Sequence, residues 1–109
     1  MWNEEDKMLD LVYSINEGPL HMPTACPRCG KTDAHFLLHR PLDSGDHGTA
    51  WIWCSSCRAY SHFSFKIPYW WENPDWIEER KLDSFPDYPE SVKRETDAWV
   101  NHLLAKRGE

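Results

Sequence analysis

Residues 26–57 read CPRCGKTDAHFLLHRPLDSGDHGTAWIWCSSC. The run begins on Cys26-Pro27-Arg28-Cys29 and ends on Cys54-Ser55-Ser56-Cys57. A two-residue spacer lets both sulfurs of a pair point at one ion, and the N–H groups of the turn can donate to them. Two such pairs are therefore the ligand set of a structural tetrahedral Zn²⁺ site: Cys26, Cys29, Cys54 and Cys57, one ion. Disulfides need an oxidising compartment, whereas Met1 to Gly18 is acidic and amphipathic, without the basic start and apolar core of a secretory signal. The expected setting is a reducing, cytoplasmic one. A thioredoxin-like redox pair needs only one Cys-x-x-Cys, beside a strand and helix pattern not found here, and catalytic zinc keeps a ligand position open for water. Four thiolates leave no such opening.

Outward from the cysteines, Ala34 to Arg40 alternates as a strand. Asp43-Ser44-Gly45-Asp46-His47-Gly48 is a run of turn formers, and Thr49 to Trp53 is the returning strand. Tyr60 to Ile67 alternates again, as a third, half-buried strand. On the N-terminal side, Asn3 can cap a helix whose first turn holds Glu4, Glu5 and Asp6. Met8, Leu11, Val12 and Ile15 follow as its apolar stripe, and Gly18-Pro19 ends it. Pro68-Tyr69-Trp70-Trp71-Glu72-Asn73-Pro74 has too many prolines to continue a strand or helix, and Asp75 to Lys81 suits a short helical turn. Pro89 fits a first helical position, and Val92, Trp99, Val100, Leu103 and Leu104 form the stripe of a last helix to Lys106. The expectation is a single α+β domain over 1–109: helix 1–19, a small three-stranded antiparallel sheet carrying the metal over 20–67, an aromatic and proline-rich segment 68–88, and a helix 89–109.

The metal turns and the strands between them resemble the zinc-ribbon family, over roughly Cys26 to Ile67. The resemblance implies the ribbon fold and the four metal ligands. Within that family the spacing is similar to the ribbon of the eukaryotic transcript-cleavage elongation factors, whose hairpin loop carries an adjacent Asp-Glu pair. Here the loop offers Asp43 and Asp46, which are not adjacent, so the cleavage function is not carried over. After Cys57 come Arg58 and Ala59, where the family often has a glycine. A small acidic protein rich in aromatics is also similar in type to bacterial immunity proteins, which neutralise a toxin.

The net charge is −6, and it is uneven. Both flanks are acidic, and the small excess of bases lies between Leu20 and Ile67, at Arg28, Lys31, Arg40, Arg58 and Lys66. Phosphate-backbone binding needs clustered Lys and Arg, so this balance disfavours nucleic acid and suits a basic protein partner. No apolar run approaches the roughly 18 residues that span a membrane. Seven Trp, four Tyr and four Phe can supply a core or an adhesive surface. Tyr69, Trp70, Trp71 and Trp76 lie in an irregular stretch where adjacent Trp residues cannot easily face one core, which makes them candidate partner contacts. Asp43, Asp46 and His47 at the hairpin tip are the other candidates. His35 and His39 share a strand face about 13 Å apart, too far to chelate one ion, and read as surface or half-buried. No nucleophile, base and orienting group assemble from spacing alone. The reading is a non-enzymatic interaction module, an immunity-type inhibitor or adaptor for a basic partner. The alternative is a nucleic-acid or transcription-complex ribbon using the basic residues with Trp51 or Trp53.

Overall fold

In chain order the strands are β1 (Asn3–Glu4), β2 (Thr24–Ala25), β3 (Thr32–His39), β4 (His47–Cys54) and β5 (Ala59–Lys66). The helices are α1 (Asp10–Ser14), α2 (Asp87–Ser91) and α3 (Lys93–Arg107), with 3₁₀ turns at Asp6–Leu9 and Glu79–Ser84. The structure is a computed structural model and describes residues 1–15, 20–41 and 45–107. One sheet runs in the order β1-β5-β4-β3-β2.

The three long strands pair antiparallel as their alternation predicts. Their register sets His35, Trp53 and Tyr60 across one face and Phe36, Ile52 and Ser61 across the other. Both faces of β3 are covered, for Ala34 through Leu38 are all buried. Gly48 on β4 is required by space: a Cβ there would collide with the His39 carbonyl and press on the Ile67 side chain. The 3₁₀ turn at Asp6–Leu9 and α1 bury Met8, Leu11, Val12 and Ile15, the stripe read from the sequence. From α3, Val100, Leu103 and Leu104 join the same core.

The expected three-stranded antiparallel ribbon is corrected to a five-stranded mixed sheet. Its one parallel pair is β1 on β5, where Asn3 N–H donates to the Arg58 carbonyl (2.8 Å) and Glu5 N–H to that of Tyr60 (2.9 Å). Asn3 to Glu5 therefore does not open a helix. Two polar residues carry no alternation, and what places them is backbone hydrogen bonding, to which side-chain periodicity is blind. At the other edge β2 pairs with β3 across a register shift. The last helix also differs. The chain is helical at Asp87–Ser91, breaks at Val92 with φ −114°, and resumes at Lys93. The helical turn expected over Asp75 to Lys81 instead lies at Glu79–Ser84, where it buries Leu82. The Gly18-Pro19 helix stop falls outside the described residues.

Candidate metal centre

Each cysteine pair sits in a tight turn at a strand end, and the two turns have the same backbone construction. Gly30 N–H donates to the Cys26 carbonyl (2.9 Å) and Arg58 N–H to the Cys54 carbonyl (3.1 Å), with Gly30 at φ 80° and Arg58 at φ 61°. The second turn thus takes the left-handed conformation without a glycine, a local strain for an L side chain. Arg58 also lies over the Trp2 ring, 4.6 Å from its centroid. Within the first turn, the N–H groups of Arg28 and Cys29 point at Cys26 Sγ (3.3 and 3.4 Å).

The fold brings all four sulfurs within 4.8 Å of one another. Cys26 Sγ lies 3.7 Å from Cys57 Sγ, and Cys29 Sγ lies 3.7 Å from Cys54 Sγ, so the close contacts cross between the pairs. Among the described residues this is the group that could hold a metal ion. Cys26 and Cys54 are buried and Cys29 reaches solvent. Burial pushes the Cys54 thiol up from 9.0 to about 12 and raises that of Cys26, because an isolated thiolate there loses its water. At Cys29 the Lys31 backbone N–H stabilises the thiolate and lowers its value. A cation at the centre supplies the charge that would make four thiolates at this depth stable.

Behind the second turn is a polar network that the spacing did not reveal. His35 is only 2% exposed, not at the surface. Its Nδ1 lies 2.9 Å from both Asp97 carboxylate oxygens and its Nε2 lies 3.0 Å from Ser55 Oγ. Ser55 Oγ donates to Glu90 (2.5 and 2.8 Å to the two oxygens), and Lys93 Nζ donates to Ser55 Oγ (3.2 Å) and pairs with Glu90 (2.9 Å). Ser, His and Asp in this order are the parts of a nucleophile triad. The hydroxyl, however, is already surrounded by a carboxylate, an ammonium and an imidazole, and the arrangement ties α2 and α3 to the metal turn. Asp33 adds two more ties, its carbonyl accepting from Ser55 N–H (3.0 Å) and its carboxylate from Ser56 Oγ (2.7 Å). In the sequence Glu90, Lys93 and Asp97 recur at helical spacing, and nothing local to them or to His35 marks the network.

The candidate contact residues scatter. Tyr69 is 88% exposed and Trp76 37%, whereas Trp71 is buried at 1%, with its ring 6.4 Å from that of Phe36. Trp70 is half-buried, with Arg107 over its ring at 5.2 Å. At the hairpin, Asp46 lies 3.7 Å from both Lys66 Nζ and His47 Nε2, while Asp43 falls outside the described residues. Neither Asp46 nor His47 joins the cysteine group. Trp53 is buried and Trp51 half-buried, both packed around Phe85 at ring distances of 6.1 and 6.4 Å. Comparison of the chain with known protein families, with characterised proteins and with solved structures finds no match.

Proposed function

We propose that the chain is a zinc-tethered protein-interaction module without catalytic activity, in which one Zn²⁺ held by Cys26, Cys29, Cys54 and Cys57 is structural. The observation that carries the zinc reading is the 3.7 Å separation of the sulfurs. A tetrahedron with Zn–S bonds of about 2.3 Å has S···S edges of roughly 3.8 Å, and two of the separations between these sulfurs have that length, which supports zinc as the ion. Native mass spectrometry of the purified chain should give the mass of one zinc per chain, lost when any one of the four cysteines becomes serine. A metal-free mass after expression in zinc-sufficient medium would overturn the assignment.

The partner reading is a basic protein held by the acidic flanks and by Tyr69 and Trp76, with the chain acting as an immunity-type inhibitor or adaptor in the cytoplasm. It is supported by the net charge of −6 and by the exposure of those two rings. The nucleic-acid alternative needs stackable aromatics beside its bases, and Trp51 and Trp53 are engaged with Phe85 instead. No helix among the described residues is long and apolar enough to cross a membrane. Affinity capture at low salt should retain a stoichiometric basic protein that is released as salt rises. Binding of single-stranded DNA or RNA that survives physiological salt, read by fluorescence anisotropy, would favour the alternative.

A further inference from the structure

Among the described residues, the sheet closes one of its edges and leaves most of the other open. On the β3 side, β2 pairs at Thr32 and Ala34, α3 packs alongside, and the Asn73 amide clasps the backbone of Arg40, accepting from its N–H (3.0 Å) and donating to its carbonyl (2.7 Å). On the β5 side, among the described residues, only Ala59 and Tyr60 are paired, by β1. Ile67 N–H donates to the Asp46 carbonyl (2.7 Å), and bonding alternates along an antiparallel pair, so the odd-numbered residues of β5 turn their backbone toward β4 and the even-numbered ones turn it outward. Tyr60 fits this, since its outward carbonyl accepts from Glu5. His62, Ser64 and Lys66 come next, and their outward N–H and C=O groups have no backbone partner among the described residues.

Nothing in Ser61–Lys66 guards that edge in the usual ways. It contains no proline and no bulge, and its one formal charge, Lys66, lies near Asp46 (3.7 Å). Phe63 and Phe65 are half-buried, with their rings 5.7 Å apart and edge-on.

We infer that this edge is a self-association surface, on which β5 of a second copy of this chain pairs antiparallel about a two-fold axis at Ser64. The register follows from the free groups. Centring on His62 runs the partner strand into β1 at Tyr60. Centring on Lys66 sets two ammonium groups opposite each other and brings Pro68, which has no N–H, into the pairing. Centring on Ser64 uses all three free residues, with Ser64 facing its own copy and His62 facing Lys66 of the partner on both sides of the axis. Phe63 then faces Phe65 of the partner at the closely spaced, non-hydrogen-bonded positions, where aromatic pairs stabilise most. The two sheets become one continuous sheet. This surface involves neither the metal ligands nor Tyr69 and Trp76, so it stands or falls separately from the proposed function.

Sedimentation equilibrium of the metal-loaded full chain, from micromolar to millimolar concentration, should show a reversible dimer. Amide exchange at His62, Ser64 and Lys66 should slow as concentration rises. Ser64 is exposed and its N–H has no backbone partner among the described residues, so Ser64→Asp and Ser64→Lys should fold normally, which circular dichroism checks. Each alone sets like charges across the axis and should weaken dimerisation roughly fivefold or more. An equimolar mixture of the two should restore it, because Asp then faces Lys. A chain that stays monomeric to millimolar concentration overturns the inference, as does a dimer indifferent to both substitutions or a mixture that associates no better than either variant.

Discussion

Arg58 carries two opposed effects on one residue. Its left-handed φ of 61° costs about 1–2 kcal/mol for a residue with a Cβ, while its guanidinium over Trp2 returns about 0.5–1 kcal/mol at an exposed site. Arg58→Ala removes the ring contact and keeps the strain; Arg58→Gly removes both. Arg58→Gly should therefore be the more stable of the two by about 1 kcal/mol in denaturant melts, even though glycine has the more flexible unfolded chain. Equal stability would show that the turn is not strained at this position. Cys54 gives a prediction in pH. Without a cation its folded thiol keeps the proton up to about 12, while an unfolded thiol releases it near 9.0. In that window the folded state binds more protons than the unfolded one, so the ion-free form loses stability as pH rises above 9.0. The metal-loaded form has the opposite dependence, since protons compete with the metal for sulfur and its stability falls toward acid. Melts with and without chelator should thus diverge as pH rises above 9.0, and parallel curves there would count against thiolate ligation.

At the scale of elements, the question is what couples α3 to the metal turn. The network of Ser55, His35, Glu90, Lys93 and Asp97 is the direct polar link, with His35 buried and the other four half-buried. Asp97→Asn weakens the acceptor that orients His35, and Glu90→Gln weakens the acceptor of the Ser55 hydroxyl. Each should cost about 1–3 kcal/mol. Both act through Ser55 and His35, so the double variant should cost less than the two single losses together. Strict additivity would mean that the two contacts are independent ties. Ser55→Ala should lower stability in the same way while leaving zinc stoichiometry at one, which separates the supporting shell from the ligands.

Across the whole molecule the cysteine cluster joins regions distant in the chain. Cys26 Sγ touches Met8 Sδ (3.7 Å), Arg28 pairs with Glu5 (3.5 Å), and the N-terminal strand docks on Arg58 and Tyr60. A protein of 109 residues buries a modest core, so removal of the ion should loosen the N-terminal segment together with the two turns and lower the denaturant midpoint of the whole chain. Chelation should weaken the near-ultraviolet dichroism of the Trp residues and speed exchange of the Asn3 and Glu5 amides. Loss of signal confined to residues 24–34 and 54–60 would show that the remaining sheet stands by itself.

What the sequence determined alone is what local chemistry encodes. Cys26, Cys29, Cys54 and Cys57 declare their shared purpose through spacing, the three long strands through alternation, and the apolar stripes of Met8 to Ile15 and Val100 to Leu104 through helical period. In each case the side chain itself is the signal. The tertiary structure decided whatever depends on backbone groups or on partners far along the chain. Asn3 and Glu4 became a parallel strand because the Arg58 and Tyr60 carbonyls needed donors, and Trp71 went inside because Phe36 lies beneath it. His35 was buried because Asp97, sixty-two residues away, offered it a carboxylate. Such pairings leave no period in the chain, since their energy comes from satisfying a buried polar group wherever the partner happens to lie.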